Sequence, residues 1–298
     1  MHDLLSRTEE LRSARTPYVL ATVVRAERPT SAKAGDRALV LPDGTLEGFV
    51  GGTCAESTVR HQGLRLLATG DSTLLRITPR EEPETASDGV ITVGNPCLSG
   101  GTLDIFLEAV LPPVLVHVFG EAPIARALAR VGAALGYDMR PATDPAAPIA
   151  PDTTAVVVAS HGRDEGSVLS SALRADVPYI GLIASRRRGA AVVAELDAPG
   201  ADRVHTPAGL DIGARTAPEV ALAVLAEILA ERPAPRPGPA ARPPAPGEPA
   251  TREVTDPVCG MTVAVAEAVL RLDHGDRTVY FCGPGCRDAF AADPAAYL

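Results

Sequence analysis

The chain has 298 residues and a formal net charge of −9, and 46% of its residues are hydrophobic but only 3% aromatic. This length predicts two or three domains with aliphatic cores, and the negative charge disfavours nucleic acid as a partner, because binding phosphates needs a basic face. Five cysteines in two separate groups, no signal-peptide pattern and no apolar run of the roughly 20 residues that span a bilayer predict a cytoplasmic protein with reduced thiols.

The first segment, residues 1–111, mixes short apolar strands with helices. A polar helix is predicted at 8–14 and a longer helix from Ser57 to Thr69. Runs of apolar and β-branched residues predict strands at 18–24, 38–41, 46–50, 74–78 and 103–107. The segment therefore predicts a mixed α/β domain.

A glycine-rich loop with the sequence GGTCAE, the first cysteine loop (51–56), joins the third strand to the longer helix. Gly51 and Gly52 let the backbone approach a ligand closely and offer amide donors to an anion. Cys54 stands near a helix start, where the helix dipole favours its thiolate, and Glu56 adds a carboxylate. The simpler interpretation is that the glycines make a turn and that Cys54 is a small buried residue.

A second cysteine loop, NPCLSGG at 95–101, precedes the last strand of this segment. It carries Cys97 together with Gly100 and Gly101. Two thiols would face one ligand if the strands that flank the loops are neighbours. A disulfide between Cys54 and Cys97 is disfavoured in a reducing compartment.

The middle segment, residues 112–232, repeats a strand–helix pattern that is typical of a doubly wound parallel sheet. Strands are predicted at 114–119, 137–143, 155–159 and 179–184, and helices at 124–135 and 164–175. The turn at Gly120 stands where a dinucleotide would place its pyrophosphate. However, it offers one glycine where the usual fingerprint has three, and Glu121 adds a negative charge, so the sequence argues against a nucleotide at this turn.

Two further loops follow predicted strands of the middle segment, at the edge where such sheets bind ligands. His161 follows the third strand, although a single histidine is more often a hydrogen-bonded structural residue than a ligand or a base. Ser185 and Arg186 follow the fourth strand and are suited to hold a phosphate. A solvent-exposed basic helix start explains these two residues equally well.

The last part of the chain consists of a linker and a small tail. Residues 233–250 are rich in proline and alanine and predict an extended tether. The tail (251–298) contains DPVCGM at 256–261 and YFCGPGC at 280–286.

Three cysteines within fewer than fifty residues have the density of metal ligands. They are Cys259, Cys282 and Cys286, and soft thiolates of this kind select Zn²⁺, Cu⁺ or similar ions. His274 is the nearest candidate for a fourth ligand. Three buried cysteines in a small fold are the alternative interpretation.

Residues 15–232 resemble the xanthine dehydrogenase accessory factor (XdhC/CoxI) family. The resemblance is carried by the two cysteine loops and by GLDIGARTAPEVALAVLAEIL at 209–229. The motifs of the tail, in order, resemble the YHS domain family, which is linked to heavy-metal handling. The two resemblances imply an α/β protein with an N-terminal mixed α/β domain, a Rossmann-like doubly wound domain and a small C-terminal α+β YHS domain.

The XdhC/CoxI resemblance implies a cofactor chaperone rather than an enzyme. Such a protein binds the molybdenum cofactor and assists its sulfuration and its insertion into a molybdenum hydroxylase of the xanthine dehydrogenase or carbon monoxide dehydrogenase type. The positions that match the family or suit the cofactor are Gly51, Gly52, Cys54, Glu56, Cys97, Gly100, Gly101, Gly120, His161, Ser185 and Arg186.

The same resemblance implies an apo molybdenum hydroxylase as partner, with a cysteine desulfurase and a second copy of the chain as further candidates. Cys54 and Cys97 would contact the metal or carry sulfur. Two other functions stay open at this point. They are a heavy-metal sensor or metallochaperone that acts through the tail, and an NAD(P)-dependent oxidoreductase that uses the middle segment.

Overall fold

The computed structural model describes residues 4–80, 82–95, 101–231, 252–266, 269–275 and 277–297. The chain divides into two compact units, and the tail belongs to the same unit as the first segment, whereas the second unit begins at Pro113. The sequence did not predict this association of the tail. Cys97, Gly100 and the tether at 233–250 lie outside the described residues, and the domain boundaries given above stay predictions.

The first unit is built on a seven-stranded sheet. Its strands are β1 (Tyr18–Glu27), β2 (Arg37–Val40), β3 (Leu46–Gly48), β4 (Ser72–Thr78), β5 (Thr85–Ser87), β6 (Val90–Gly94) and β7 (Thr102–Val110). Their order is β3-β2-β1-β7-β4-β6-β5. The β4–β6 pair is parallel and the other pairs are antiparallel. Together with its helices, this sheet forms the mixed α/β domain that the sequence predicts.

Helices α1 (Leu4–Ser13) and α2 (Thr53–Thr69) accompany this sheet. Val59 and Leu66 of α2 are buried in the same hydrophobic core as Ile105 of β7. The sequence predicts that this helix begins at Ser57, but it begins four residues earlier, because Gly52 has an extended backbone conformation and acts as the N-cap. Cys54 and Glu56 are therefore part of the first helical turn.

The second unit contains a five-stranded parallel sheet. Its strands are β8 (Leu115–Phe119), β9 (Asp138–Ala142), β10 (Thr153–Val158), β11 (Tyr179–Leu182) and β12 (Val204–His205), and its helices are α3 (Pro123–Ala134), α4 (Glu165–Arg174), α5 (Arg186–Ala194) and α6 (Ala217–Glu231). The strand order is β12-β11-β10-β8-β9. One core contains side chains of α3 and α6 and the other contains side chains of α4 and α5, which confirms the Rossmann-like doubly wound fold.

The described part of the tail contains β13 (Glu253–Thr255), β14 (Thr262–Ala264), β15 (Arg271–His274), β16 (Arg277–Tyr280) and helix α7 (Pro284–Ala292). The strands form two separate antiparallel pairs. Phe281 and Phe290 are fully buried, and their ring centroids are 5.3 Å apart. Membership of the tail in the YHS family stays a prediction.

Among the described residues, no helix has the length and apolar character needed to cross a membrane.

Candidate functional site

The first cysteine loop places two glycines at the start of α2. Gly51 has a φ of +134°, which glycine adopts without strain, and a Cβ at this position would lie 3.1 Å from the Cβ of Ala55. Gly52 is exposed, and no atom lies within 4 Å of the place where its Cβ would be. The helix start therefore has open space beside backbone amides that an anion can use.

Two side chains with opposite charges accompany Cys54 in the first turns of α2. Cys54 is half-buried and is not part of a disulfide. Partial burial raises the pKa of Glu56, whereas the nearby Arg60 guanidinium lowers it. Arg60 also donates from Nε to the carbonyl oxygen of Gly44 at 2.8 Å, which holds its position. The turn thus presents a thiol and a carboxyl group whose protonated form is favoured by burial.

The residues that flank the second cysteine loop lie close to the first one. Asn95 is buried and donates from Nδ2 to Oγ1 of Thr58 at 3.3 Å, one turn beyond Cys54. On the other side, the Cδ1 atom of Leu103 lies 3.3 Å from the position of a Cβ on Gly51. Asn95 and Leu103, which lie at the two sides of the second loop, are therefore both close to the start of α2.

The backbone packing around position 101 requires a glycine. A Cβ at this position would lie 2.3 Å from the carbonyl oxygen of Pro29 and 2.5 Å from that of Glu27. Only glycine fits such a close approach of two backbones. Its role toward a cofactor stays a prediction.

A cleft of about 470 Å³, counting its open mouth, lies in the second unit between the carboxyl ends of β8 and β10. This is the point where the strand order reverses, and doubly wound sheets bind ligands there. We call it the switch-point cleft. The lining residues are Phe119, Gly120, Glu121, Thr143, Pro145, Ser160, Arg163, Asp164 and Val168. Glu121 and Asp164 are acidic and Arg163 is the basic residue among them, so the lining does not favour a pyrophosphate.

A buried carboxylate, Glu165, holds the loop that follows β10. Its Oε1 accepts from the backbone amide of Gly162 at 2.9 Å, and its Oε2 accepts from Nη1 of Arg188 at 2.5 Å. Arg188 also donates to the carbonyl oxygen of Ile183 at 2.9 Å. These bonds join the loops after β10 and β11, a connection that the sequence did not reveal because the partners are far apart in the chain.

The other predicted residues of the second unit lie near this edge of the sheet but do not converge on one point. Ser185 is the N-cap of α5 and accepts from the backbone amide of Arg188 at 3.4 Å. Arg186 is 86% exposed and lies 3.9 Å from Asp211. His161 has a φ of +54° and an exposed side chain. Binding roles for these residues stay predictions.

The tail brings four potential metal ligands together, which we call the thiol cluster: Asp256, Cys259, Cys282 and Cys286. The Sγ atom of Cys282 lies 3.5 Å from that of Cys259 and 3.6 Å from that of Cys286, and the four ligand atoms all lie within 4.8 Å of one another. Thiolates bound to one tetrahedral ion at about 2.3 Å would be about 3.8 Å apart. The three sulfur atoms therefore already have nearly the spacing that a metal ion requires.

The ionisation of the three thiols is unequal. A hydrogen bond from the Cys282 thiol lowers the pKa of Cys259 to about 7. The pKa of Cys282 is raised, because this thiol donates its proton to Cys259 and is also buried. Burial raises the pKa of Cys286 to about 12. Cys259 is thus the thiol that is most readily available as an anion near neutral pH.

Asp256 is the fourth member of the thiol cluster, and the sequence analysis did not single it out. Its carboxylate accepts from the backbone amides of Val258 at 2.9 Å and of Cys282 at 2.8 Å. It therefore fastens the two chain segments that carry the cysteines. His274, the expected candidate for this position, instead lies edge-on to Phe290 with ring centroids 5.7 Å apart. Asp256 precedes Cys259 by three residues, and this spacing was the available signal.

Comparison with known protein families identifies the chain. A model of the XdhC Rossmann domain matches residues 116–228, and a model of the XdhC and CoxI family matches residues 11–78. The two matches together span more than half of the chain. This chain belongs to the XdhC and CoxI family.

Several curated proteins are similar to this XdhC and CoxI family member. The uncharacterized protein YqeB of Escherichia coli (strain K12) is 26% identical over 257 residues, which cover 76% of this chain and 45% of that protein. The molybdenum cofactor insertion chaperone PaoD of the same organism is 25% identical over 262 residues, which cover 70% of this chain and 81% of PaoD. A copper-transporting P-type ATPase of Rhizobium leguminosarum bv. viciae is 49% identical over 45 residues, which cover 15% of this chain and 5% of the ATPase. The chain thus spans less than half the length of YqeB.

The family matches can be related to the sites described above. The XdhC and CoxI model includes the first cysteine loop, and the XdhC Rossmann model includes the switch-point cleft at Gly120 and, outside that cleft, His161 and Ser185. The thiol cluster lies outside both matched ranges. The chain therefore combines two regions that are shared with the family and a tail that is additional to them.

Proposed function

We propose that this chain is a non-enzymatic accessory protein that binds the molybdenum cofactor at the first cysteine loop and helps to mature a molybdenum hydroxylase. The observation that carries the proposal is the start of α2, where no atom lies within 4 Å of a Cβ on Gly52 and Cys54 lies in the first turn. The region belongs to the part of the chain that matches the XdhC and CoxI family. The relative PaoD is named as a molybdenum cofactor insertion chaperone.

The residues at this helix start fit the chemistry of the cofactor. The cofactor is a pterin phosphate with a dithiolene-bound metal, so it needs anion donors and tolerates a soft ligand. The amino end of α2 provides the donors, and Cys54 provides the sulfur. Glu56, whose pKa is raised by burial, is placed to exchange hydrogen bonds with a pterin amine.

Transfer of the cofactor to its enzyme, and sulfuration of the cofactor, would require partner proteins. An apo hydroxylase of the xanthine dehydrogenase or carbon monoxide dehydrogenase type would receive the cofactor. A cysteine desulfurase would supply the sulfur while this chain presents the cofactor. The proposal places the chain in the cytoplasm, where a reducing environment keeps thiols such as Cys54 free.

The test is the pterin and molybdenum content of protein purified from cells that make the cofactor. We expect wild type and Cys259→Ser to retain both, and Cys54→Ser to lose both. Cys259→Ser is the matched control, because it removes a thiol from the tail and leaves α2 unchanged. Absence of pterin from all three proteins would refute cofactor binding, and equal content in all three would refute the assignment to Cys54.

A second function, the binding of a thiophilic metal ion, is supported by the spacing of the thiol cluster. Its donor set suits Zn²⁺ or Cu⁺. An ion would be held by Cys259, Cys282 and Cys286, with Asp256 positioning them. Titration with zinc should show tight binding that is lost in Cys282→Ser.

A nicotinamide-dependent reaction in the second unit has less support, because the switch-point cleft presents Glu121 and Asp164 where a pyrophosphate would lie. Titration of NADH fluorescence checks this. We expect no change in the emission on adding the protein.

A further inference from the structure

The described part of the tail packs along one side of α2 within the first unit. Ala264 of β14 is buried in the same core as Val59 of α2. A Cβ on Gly44 would lie 2.8 Å from the Cβ of Ala266. The tail is therefore seated on the first domain through apolar contacts and does not merely follow it in the chain.

A polar contact fixes the direction of this packing. His61 of α2 is 6% exposed, and its Nε2 atom lies 2.8 Å from Oε1 of Glu253. His61 lies two turns beyond Thr53. The contact sets β13 beside the middle of α2.

The amino end of α7 meets the start of α2. A Cβ on Gly283 would lie 2.6 Å from Cγ2 of Thr53, so the two segments approach as closely as a glycine permits. Thr53 precedes Cys54, and Gly283 follows Cys282. The segment that carries two of the cluster thiols is thus in contact with the first cysteine loop.

A metal ion in the thiol cluster would hold this segment in place. Cys282 precedes Gly283, the N-cap of α7, and Cys286 lies in the first turn of that helix, whereas Asp256 and Cys259 lie in the turn between β13 and β14. One ion bound by both segments would therefore hold Gly283 in a fixed position relative to the β13–β14 pair, which packs against α2. Among the described residues, the tail buries few large apolar side chains, chiefly Val263, Val269, Phe281 and Phe290, so metal binding would add to its rigidity.

We propose that a thiophilic metal ion bound at the thiol cluster seats the start of α7 on Thr53 and thereby shields Cys54, so that the tail is a metal-dependent cap over the first cysteine loop. The inference rests on the metal binding proposed above but does not depend on which cofactor the loop holds. Binding of the ion and seating of the cap are linked, so each favours the other.

The experiment measures how fast iodoacetamide alkylates Cys54 in the full-length chain. The chain is freed of metal with a chelator and a reductant and then compared with and without added Zn²⁺, and labelling is read from the Cys54 peptide by mass spectrometry. We expect zinc to slow labelling by about tenfold in wild type, a typical size for coupling between two sites.

Two glycine variants separate the cap from the metal site. Gly283→Val places a side chain against Thr53, whereas Gly285→Val is the matched control, because no atom lies within 4 Å of a Cβ at that position. Both should still bind zinc. We expect zinc to protect Cys54 in Gly285→Val but not in Gly283→Val. In Cys286→Ser, where the cluster is broken, the protection should also disappear.

Each other outcome overturns a defined part of the inference. Zinc binding to wild type without any change in the labelling of Cys54 would refute the cap and leave the metal site standing. Protection that survives in Gly283→Val or in Cys286→Ser would show that zinc acts on Cys54 by another route. A wild-type chain that binds no zinc would refute the metal site and the cap together.

Discussion

The first cysteine loop and the Gly120 turn both join a strand to a helix, and both contain a glycine with positive φ, +134° at Gly51 and +116° at Gly120. They differ in what surrounds the glycines. A Cβ on Gly120 would lie 2.3 Å from the carbonyl oxygen of Ala159, whereas a Cβ on Gly52 would have no neighbour within 4 Å. The glycine in the second unit is thus required for packing between strand ends, and Gly52 leaves room for a ligand. The same residue type after a strand is required for packing in one unit, whereas in the other it leaves the open space in which we propose that a ligand binds.

The largest expected effect in this comparison comes from Gly120→Ala. The new methyl group would overlap the Ala159 carbonyl and the residue would keep an unfavourable φ, so we expect a loss of about 3 kcal/mol in the free energy of unfolding. Urea unfolding followed by circular dichroism measures it. Gly162→Ala is the control, because Gly162 has a φ of +93° but no atom near a Cβ, and it should lose only about 1 kcal/mol. Equal losses would mean that the close approach to Ala159 does not matter.

Glu165→Gln should have the next largest effect. The carboxylate accepts from Gly162 and Arg188 while buried, and the amide cannot replace the ion pair. We expect a loss of about 2 kcal/mol in the free energy of unfolding. Glu121→Gln, an exposed acid at the cleft, should change stability by less than about 0.5 kcal/mol. If both variants unfold at the same urea concentration as wild type, Glu165 does not hold the loop after β10.

Tyr179→Phe should have a smaller effect that depends on pH. The Tyr179 hydroxyl donates to Oε2 of Glu227 at 2.5 Å, and its loss should cost about 1 kcal/mol at pH 7. Burial, aided by this hydrogen bond, raises the pKa of Tyr179 above its ordinary value of 10.0. The unfolded chain therefore releases this proton at a lower pH than the folded chain, and stability is lost as the pH rises above 10.

The measurement for Tyr179 is the slope of unfolding free energy against pH between about 9 and 11, where an ordinary tyrosine titrates. We expect the slope to be shallower in Tyr179→Phe than in wild type. Tyr137→Phe serves as the control, because it removes a phenol hydroxyl from the same unit and leaves the bond between Tyr179 and Glu227 intact. An unchanged slope in Tyr179→Phe would contradict the raised pKa.

The smallest effect on stability should come from Gly52→Ala. Its φ of −73° suits alanine and its Cβ would enter open space, so we expect a loss of only about 0.5 kcal/mol, from the weaker N-cap. The same methyl group would occupy the space assigned to the cofactor, so pterin content should fall. A variant that retains wild-type pterin content would place the cofactor elsewhere.

Regular elements were predicted well where the pattern was strong. The buried strands at 18–24 and 155–159 were found because their apolar residues are continuous, and observed strands β1 and β10 contain most of each. The short strand β5 was missed, since Thr85–Ser87 is exposed and carries no apolar pattern. Strand β6 was also missed, although Val90–Gly94 is rich in β-branched residues. The start of α2 was misplaced by four residues, because the cap is a glycine whose extended conformation is not encoded by a characteristic capping side chain.

The candidate sites were predicted unevenly. The three cysteines of the tail were found from spacing alone, whereas Asp256 was missed because its contribution depends on a turn that brings it to Cys282. Glu165 and Arg188 were missed for a similar reason, since 23 residues separate the two partners of their ion pair. Cys97 and Gly100 lie outside the described residues, so their roles toward a cofactor remain predictions.

The sequence by itself determined the residue types that can do chemistry: two cysteine loops, a cysteine-rich tail and the motifs that led to the XdhC and CoxI family. Only the tertiary structure decided which of them meet. The parallel strand order brings Gly120 to Ser160, and the packing of Ala264 onto α2 brings Gly283 to Thr53. Such contacts depend on how apolar faces are buried against each other over long separations in the chain, and local patterns of residues do not specify that choice.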